Sequence, residues 1–350
     1  MFLKFFGLRE QPFGVTPDPR FLYLSPAHRE ALASLYYGIE SGRGFLALIA
    51  KPGMGKTTLL FHLLEKFRTT ARTAFLFQTQ CTSREFMRFL LAELGYETGD
   101  HDFVRMHEEF NRHLLQEARA GNRFIVVVDE AQNLDASVLE TIRLLSDFET
   151  PRAKLLQIVL AGQPELADKL ASRPLAQLRQ RVSLLNGLKS LSAAETKNYV
   201  QHRLKVAGYQ GEAVFTLPAM AAIADFTEGI PRNINNFCFN ALSLAFAMRQ
   251  KTVDAAIVQE VISDLDITQH VSDSWGSGPS TVMGAPGEHD RIDHEPLRHL
   301  DRDTDGKGHT DRMETLFSPS QRRYKPSGTL TPAEARAYLE QVARSLKSWS

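Results

Sequence analysis

The sequence has few of the features on which several protein classes depend. Its 350 residues include two cysteines, Cys81 and Cys238, too few for a disulfide framework or a metal-binding spacing. Its apolar runs, such as Phe45–Ala50 and Phe124–Val128, are too short to cross a bilayer, and the N-terminus lacks the pattern of a signal peptide. These absences predict buried thiols and a cytoplasmic protein without a transmembrane segment.

An excess of charge of one sign is also absent. The chain has 41 Lys and Arg residues against 41 Asp and Glu residues, so its formal net charge is zero. Proteins that bind nucleic acid through its phosphates usually carry a basic excess or a local basic patch. The overall charge therefore does not indicate a DNA partner. With 43% hydrophobic residues, the chain has the composition of an ordinary globular protein, and its length favours at least two structural units.

Residues 1–188 are predicted to form an α/β domain, because short apolar runs alternate with helical patterns. This alternation is typical of a parallel sheet covered by helices on both faces. The predicted strands are Phe45–Ile49, Thr73–Phe77, Phe124–Val128, Leu155–Leu160 and Val182–Leu185. The predicted helices between them are His28–Ile39, Lys56–Phe67, Ser83–Leu94, Val104–Ala120 and Ala136–Ser146.

The rest of the chain contains no strand pattern. Residues 189–268 are predicted to form a helical domain from Ala193–Val206, Leu217–Thr227, Pro231–Met248 and Ala255–Leu265. Residues 269–328 are rich first in Gly, Ser and Pro and then in charge, which predicts a disordered linker. Residues 329–350 predict a short amphipathic helix that either docks on its own body or binds a partner.

A phosphate-binding loop follows the first predicted strand and precedes a predicted helix. It reads Ala50-Lys51-Pro52-Gly53-Met54-Gly55-Lys56-Thr57-Thr58, which is a P-loop in the setting that this motif requires. Gly53 and Gly55 let the backbone curl so that its N–H groups face phosphates. Lys56 is expected to reach the β- and γ-phosphates, and the Thr57 hydroxyl is expected to ligate Mg²⁺. Ala50 stands where the usual pattern has its first glycine, a change that leaves the phosphate-wrapping positions intact.

A second strand ends in two carboxylates, as a Walker B segment does. The apolar run Phe124–Val128 is followed by Asp129 and Glu130. Asp129 is expected to orient Mg²⁺, and Glu130 to orient and polarise the water that attacks the γ-phosphate. Acidic residues at this point are also explained by capping of the next helix. Their distance after the P-loop, which fits two strand–helix units, favours the functional interpretation and hydrolysis of ATP.

Further polar residues complete the predicted site. Gln163 follows the fourth strand and could lie between the carboxylates and the γ-phosphate, or it could only cap a loop. Arg179 and Arg181 precede the fifth strand, where either could act as an arginine finger towards a neighbouring subunit's nucleotide, with Arg181 favoured; both could instead be surface residues. Arg232 lies in the first turn of a helix, where the helix dipole disfavours a cation, so a bound γ-phosphate could compensate it.

The order of these motifs resembles that of an AAA+ ATPase. More narrowly, the chain resembles the general secretion pathway protein A family, the ExeA-type ATPases. The resemblance covers about residues 2–266 and lies in these segments: Phe6-Gly7-Leu8, Pro12-Phe13, Thr16–Ser25, His28–Leu32, Asp129–Leu134, Gly162–Leu166, Leu191–Thr196 and Gly229–Arg232.

This resemblance implies a five-stranded parallel sheet with a helical lid, ATP and Mg²⁺ as ligands, and a homo-oligomer that supplies an arginine in trans. It also implies that Pro12–Tyr23 lies near the adenine. Secretion-type members often continue into a transmembrane helix and a peptidoglycan-binding domain, which this sequence does not show. A protein partner in an envelope secretion or export system is therefore expected, with any position near the inner membrane depending on that partner. The alternatives are a DNA-handling ATPase of the transposition-helper or loader type and a nucleotide-gated scaffold with little turnover.

Overall fold

The computed structural model describes residues 2–276, apart from residues 78, 79, 98, 100, 151 and 152. Its centre is a five-stranded parallel sheet. The strands are β1 (Phe45–Ile49), β2 (Ala71–Leu76), β3 (Arg123–Val128), β6 (Leu156–Gly162) and β7 (Val182–Gly187), in the order β2-β3-β6-β1-β7. A short antiparallel hairpin joins β4 (Glu149–Thr150) to β5 (Ala153–Lys154).

Helices cover both faces of the sheet and then form a separate layer. Those of the first part are α1 (Phe2–Phe6), α2 (Pro26–Glu40), α3 (Lys56–Phe67), α4 (Ser83–Glu93), α5 (Phe103–Arg119), α6 (Ala136–Leu145), α7 (Pro164–Ala171) and α8 (Ala176–Arg181). Those of the helical lid are α9 (Ala193–Val206), α10 (Leu217–Phe226), α11 (Pro231–Ala247) and α12 (Ala255–Gly276). Short 3₁₀ turns occupy Pro19–Phe21, Ala131–Asn133 and Arg173–Leu175.

The three inner strands are apolar because both of their faces are buried. Every residue of β6 is buried, and β3 is buried from Phe124 onwards. In the parallel register Leu48 of β1 pairs with Ala161 of β6, and Val128 of β3 pairs with Leu160. The carboxyl ends of β1, β3 and β6 therefore meet at one edge of the sheet. The P-loop, the two carboxylates and Gln163 all follow these strand ends.

The lid has its own hydrophobic core, and the N-terminal arm, residues 2–23, contributes to it. Phe6, Leu8, Phe13 and Phe21 pack in one cluster with buried residues of α9, α10 and α11. The Arg9 amide also donates a hydrogen bond to the Ala207 carbonyl, 2.9 Å away, at the end of α9. The arm thus packs in the core of the lid, although it precedes the sheet in sequence.

The parallel five-stranded sheet followed by helices is confirmed, and each predicted strand begins and ends within two residues of the observed one. The last helix, α12, runs to Gly276, eight residues beyond the predicted end of the helical domain at 268. The remainder of the predicted linker, 277–328, and the predicted helix 329–350 lie outside the described residues. Within the part that is described, no helix combines the length and hydrophobicity needed to span a membrane.

Candidate nucleotide-binding site

An open cleft lies between the α/β domain and the lid. Four parts of the chain line it: residues 14–18 and 21–23 of the N-terminal arm, His28 of α2, the P-loop with Glu130, and the lid. The sequence-predicted residues in the lining are Gly53, Met54, Gly55, Lys56, Thr57, Thr58, Glu130 and Arg232. The cleft therefore joins the phosphate-binding loop to the N-terminal segment that was expected near the adenine.

The P-loop curls through two glycines in the left-handed region of backbone space. Gly53 has a φ of 78° and Gly55 a φ of 84°, a conformation that costs other L-residues energy. A Cβ atom at Gly53 would also lie 2.7 Å from the Cβ atom of Arg232 in the lid. Gly55 caps α3, so the amide groups of this helix N-terminus point into the cleft and make it suited to an anion.

The Lys56 side chain lies inside the P-loop, against the loop's own backbone. Its Nζ donates hydrogen bonds to the carbonyl oxygens of Ala50 at 2.9 Å and Lys51 at 3.4 Å. Burial lowers the pKa of Lys56, and the nearby carboxylates of Glu130 and Asp129 offset part of this effect. The ammonium group therefore has backbone acceptors, which the phosphate oxygens of a nucleotide could replace.

Thr57 and Asp129 form the most direct link between the P-loop and β3. The Thr57 hydroxyl donates a hydrogen bond of 2.5 Å to Oδ2 of Asp129, and the Glu130 amide donates one of 2.9 Å to Oδ1. Only 1% of Asp129 is exposed. Burial raises the pKa of this carboxyl, although both hydrogen bonds oppose the increase. A buried carboxylate beside a hydroxyl is a pair of oxygen donors that suits Mg²⁺.

Glu130 is held by two glutamine side chains. Gln132 Nε2 donates to Glu130 Oε2 at 2.6 Å, and Gln163 Nε2 donates to the same oxygen at 3.2 Å. Burial alone would raise the pKa of Glu130, but these two bonds and the charges of Lys56 and Arg232 outweigh it, so the pKa lies below its usual value. The arrangement keeps Glu130 ionised and fixes its direction at the edge of the cleft.

Two residues of this site were given no role by the sequence reasoning. Gln132 donates to Glu130 and also accepts a hydrogen bond of 3.1 Å from the Gln163 amide. His28 is buried, and its Nε2 lies 3.1 Å from the Met54 carbonyl oxygen in the P-loop. Both lie in segments that carry the family resemblance, which was the available signal. Their roles depend on contacts between distant parts of the chain, which the local pattern does not reveal.

The N-terminal arm is attached to the lid beside the cleft. Arg203 of α9 donates to the Pro12 carbonyl at 2.5 Å and to the Gly14 carbonyl at 3.3 Å. Its guanidinium group also lies over the Phe21 ring, 4.8 Å from the centroid. Asn235 of α11 reaches the Gly14 carbonyl as well, at 3.4 Å. The lid thus fixes the backbone of the segment that was expected near the adenine.

The two candidate finger arginines lie away from this cleft in their own chain. Arg181, at the end of α8, forms an ion pair with Asp147 and donates a hydrogen bond of 3.1 Å to Ser146 Oγ. Arg179 is exposed and donates to the Ala171 carbonyl at 3.3 Å. Neither contributes to the lining of the cleft in the described part of the chain. A finger role for either residue therefore requires a second copy.

Sequence comparison places this site within a known domain type. Residues 39–170, which include the P-loop and both carboxylates, match the family of AAA domains. The chain is also 41% identical over 249 residues to general secretion pathway protein A of Aeromonas hydrophila. That match covers 71% of this chain but 45% of the relative, so the chain spans less than half the length of that protein.

Solved structures agree with this assignment at the level of the fold. The Aeropyrum pernix ORC2 protein, solved as ADPNP–ADP complexes, superposes with a TM-score of 0.58 at 16% identity, over 73% of this chain and 71% of that one. Drosophila ORC bound to DNA superposes with a TM-score of 0.56 at 18% identity, over 78% and 68% of the two chains. Identities this low support a shared fold alone.

The sheet order, the P-loop followed by an Asp-Glu strand end, the matched AAA domain and the similarity to the Aeromonas protein agree with one another. The chain therefore has the AAA+ P-loop fold, and its sequence is similar to general secretion pathway protein A.

Proposed function

We propose that this protein binds ATP with Mg²⁺ in the cleft between the sheet and the lid, hydrolyses it, and uses the cycle to assemble or switch a secretion or export system. One observation carries the enzymatic part of the proposal. The anion-binding loop with Lys56 and the oriented carboxylate of Glu130 line the same cleft. A nucleotide with its phosphates on the loop would bring its γ-phosphate towards this carboxylate.

The proposed reaction is in-line attack of water on the γ-phosphorus. Glu130, kept ionised by Gln132 and Gln163, accepts a hydrogen bond from the water and orients it. A bond forms between the water oxygen and phosphorus while the bond to the ADP oxygen breaks, so ADP leaves and the protons of the water remain on the released phosphate. Lys56 and Arg232 would stabilise negative charge on the transferred group, and Gln163 would hold Glu130 in position.

Thr57 and Asp129 are the residues that would hold Mg²⁺. Their oxygens are 2.5 Å apart, and the Asp129 carboxylate is buried without a cationic side chain in direct contact among the described residues. A cation at this position would compensate the buried charge, and the metal ion would shield the β- and γ-phosphates. Thr57 would exchange its present hydrogen bond for a metal contact.

A neighbouring copy would complete the site with an arginine. Arg181 is the preferred candidate and Arg179 the second, because both lie at the end of α8 and do not line the cleft of their own chain. An arginine supplied in trans stabilises charge in the transition state and links turnover to assembly. The ion pair with Asp147 would have to exchange for the neighbour's phosphate.

The cellular role rests on the similarity to general secretion pathway protein A. We propose a protein partner in an envelope secretion or polysaccharide or protein export system, on the cytoplasmic side. The predicted helix at 329–350 would be one route to that partner. The DNA-handling alternative draws no support from the balanced charge of the chain.

The enzymatic proposal is tested by Mg²⁺-dependent phosphate release at several protein concentrations. Wild type should turn over ATP with a rate per subunit that rises with concentration. Lys56→Ala should abolish turnover, whereas Lys51→Ala, which removes an exposed neighbouring lysine side chain, should not. Arg181→Ala should lower the rate, with the exposed Arg173→Ala as the matched control. Absence of Mg²⁺-dependent turnover at every concentration, with or without a membrane extract, would refute the ATPase.

A second variant separates a motor from a nucleotide-gated scaffold. Glu130→Gln keeps the size and the hydrogen-bonding groups but cannot act as the carboxylate that polarises water. A motor should then retain ATP and lose function in cells. A scaffold should bind ATP and keep working with this substitution.

A further inference from the structure

His28 connects the N-terminal arm to the phosphate-binding loop. It lies in the first turn of α2, is 3% exposed, and lines the cleft. Its Nδ1 is 2.8 Å from Ser25 Oγ, and its Nε2 is 3.1 Å from the Met54 carbonyl oxygen. Both ring nitrogens of this buried imidazole therefore have a partner, and one partner belongs to the P-loop backbone.

The chemistry of the partners fixes the tautomer. A backbone carbonyl only accepts hydrogen bonds, so Nε2 of His28 must carry the proton. Nδ1 then accepts from the Ser25 hydroxyl, whose oxygen in turn accepts the His28 backbone N–H at 3.3 Å. Burial lowers the pKa of His28, although the bond to Met54 opposes this, and the ring stays neutral. Ser25 thus orients the ring, and the ring donates to Met54.

A carbonyl held from outside the loop determines where the next amide points. In a trans peptide the C=O of one residue and the N–H of the next point in opposite directions. With the Met54 carbonyl on His28, the Gly55 N–H turns away from His28, towards the inside of the loop. The preceding peptide group, between Gly53 and Met54, is also held from outside the loop, because the Arg232 backbone N–H donates to the Gly53 carbonyl at 3.1 Å. Two successive peptides are anchored, one from α2 and one from the lid.

We propose that His28 is a positioning residue for phosphate binding, which directs the Gly55 amide at the nucleotide by holding the Met54 carbonyl. This inference rests on the proposed function, because it concerns the phosphates of a bound nucleotide. His28 touches the loop and acts through it. Its removal should therefore weaken ATP binding more than it weakens the fold, which a purely structural histidine would not do.

The test compares His28→Gln with His28→Asn. The glutamine amide nitrogen reaches about as far as Nε2 and can donate to Met54, whereas the asparagine nitrogen reaches only as far as Nδ1. Titration with a fluorescent ATP analogue should show about tenfold weaker binding for His28→Asn, the effect of one misdirected hydrogen bond to a charged group. His28→Gln should bind within about threefold of wild type. The melting temperatures without nucleotide should be similar for the two variants.

Any one of four results would overturn the inference. Equal ATP affinities of His28→Asn and wild type, or equal losses in both variants, would remove the role of the Nε2 donor while leaving the proposed function intact. Selective ¹⁵N labelling of histidine in the wild-type protein gives a check that needs no variant: His28 must show a protonated Nε2 and a bare Nδ1. A wild type that binds no ATP would refute the proposed function itself, and this inference with it.

Discussion

The Nε2 atom of Gln163 lies 3.2 Å from Oε2 of Glu130, and this hydrogen bond joins the ends of β6 and β3. Gln163 follows the strand that separates the P-loop strand from the strand of the carboxylates. Its side-chain amide donates to the carboxylate that we propose orients the attacking water. The presence of this hydrogen bond therefore influences both the ionisation and the orientation of the Glu130 side chain.

Loss of this bond should change the pH dependence of turnover. A donor stabilises the ionised carboxylate, and Gln163→Leu therefore raises the pKa of Glu130 from its lowered value. The acidic limb of the kcat profile should move to higher pH, and kcat near neutral pH should fall on the order of 10- to 100-fold. The measurement is kcat at saturating Mg–ATP between pH 5 and 9. Gln177→Leu, at an exposed position of α8, is the control; identical profiles for the two variants would contradict the assignment.

Removal of the buried charge at Asp129 should stabilise the nucleotide-free protein. The pKa of this carboxyl is raised by burial, so the folded state is penalised at any pH above its ordinary range, and the penalty disappears in acid. Asp129→Asn can accept from the Glu130 amide and donate to Thr57. We expect a rise in Tm of roughly 1–2 °C at pH 7, the shift that about 1 kcal/mol produces in a chain of this size, and no rise at low pH.

The same Asp129→Asn variant should lose Mg²⁺-dependent turnover, because the amide is a poorer ligand for this ion. Differential scanning fluorimetry at pH 7 and in acid measures the first effect, and phosphate release the second. A lower Tm at pH 7 would show that the carboxylate is well compensated in the free protein.

The hold of the lid on the N-terminal arm should depend on Arg203. Arg203→Met leaves the Pro12 carbonyl without the Arg203 donor and the Gly14 carbonyl with Asn235 alone, and we expect a loss of about 2–4 kcal/mol in the free energy of unfolding. Urea denaturation measures this loss. Cleavage of the arm by a protease should also become faster. Lys205→Met, at an exposed position on the same helix, should change neither; similar effects of both substitutions would assign the loss to the helix rather than to the arm.

A comparison of two glycines should measure the steric effect of the close contact between Gly229 and the backbone of Leu191. Gly229 has a φ of 65°, and a Cβ atom there would overlap the backbone carbonyl of Leu191. Gly121 has a φ of 78°, and a Cβ atom at Gly121 would have no atom from elsewhere in the described chain within 4 Å. Gly121→Ala should therefore cost only the backbone strain, about 1 kcal/mol, whereas Gly229→Ala should cost clearly more. Chemical denaturation of the two variants decides this, and equal losses would exclude the steric effect.

The alternation of strands and helices was predictable from the sequence because it is a local property. Apolar runs of five to seven residues, buried on both faces, set β1, β3 and β6 within two residues of their observed bounds. The P-loop was predictable for a similar reason, because its spacing is enforced by contact with phosphates. The side chains that pack around the P-loop come from distant parts of the chain, and no fixed spacing in the sequence identifies them.

The parts that the sequence did not reveal depend on distant contacts. The local sequence around the phenylalanines of the N-terminal arm does not indicate whether they pack with α11 or with the sheet. Likewise, His28 and Met54 are 26 residues apart, and only the folded chain brings them into contact. The assignments of Gln163, Arg179, Arg181 and Arg232 remain predictions about a nucleotide-bound assembly. The helix α12 extends past the predicted boundary because polar residues after Leu265 still permit helix.

The attachment of the N-terminal arm to the lid has a kinetic consequence. The arm lines the cleft on the side where the adenine is expected, and the Arg232 amide of the lid donates a hydrogen bond to the Gly53 carbonyl of the P-loop. A rotation of the lid that opens the cleft would therefore carry the arm away from the P-loop and break the hydrogen bond from the Arg232 amide to Gly53, so the contacts to both ends of a bound nucleotide would be lost together. The residence time of ADP would then be set by the stiffness of the lid, and a substitution far from the phosphates could alter the cycling rate without changing the chemical step.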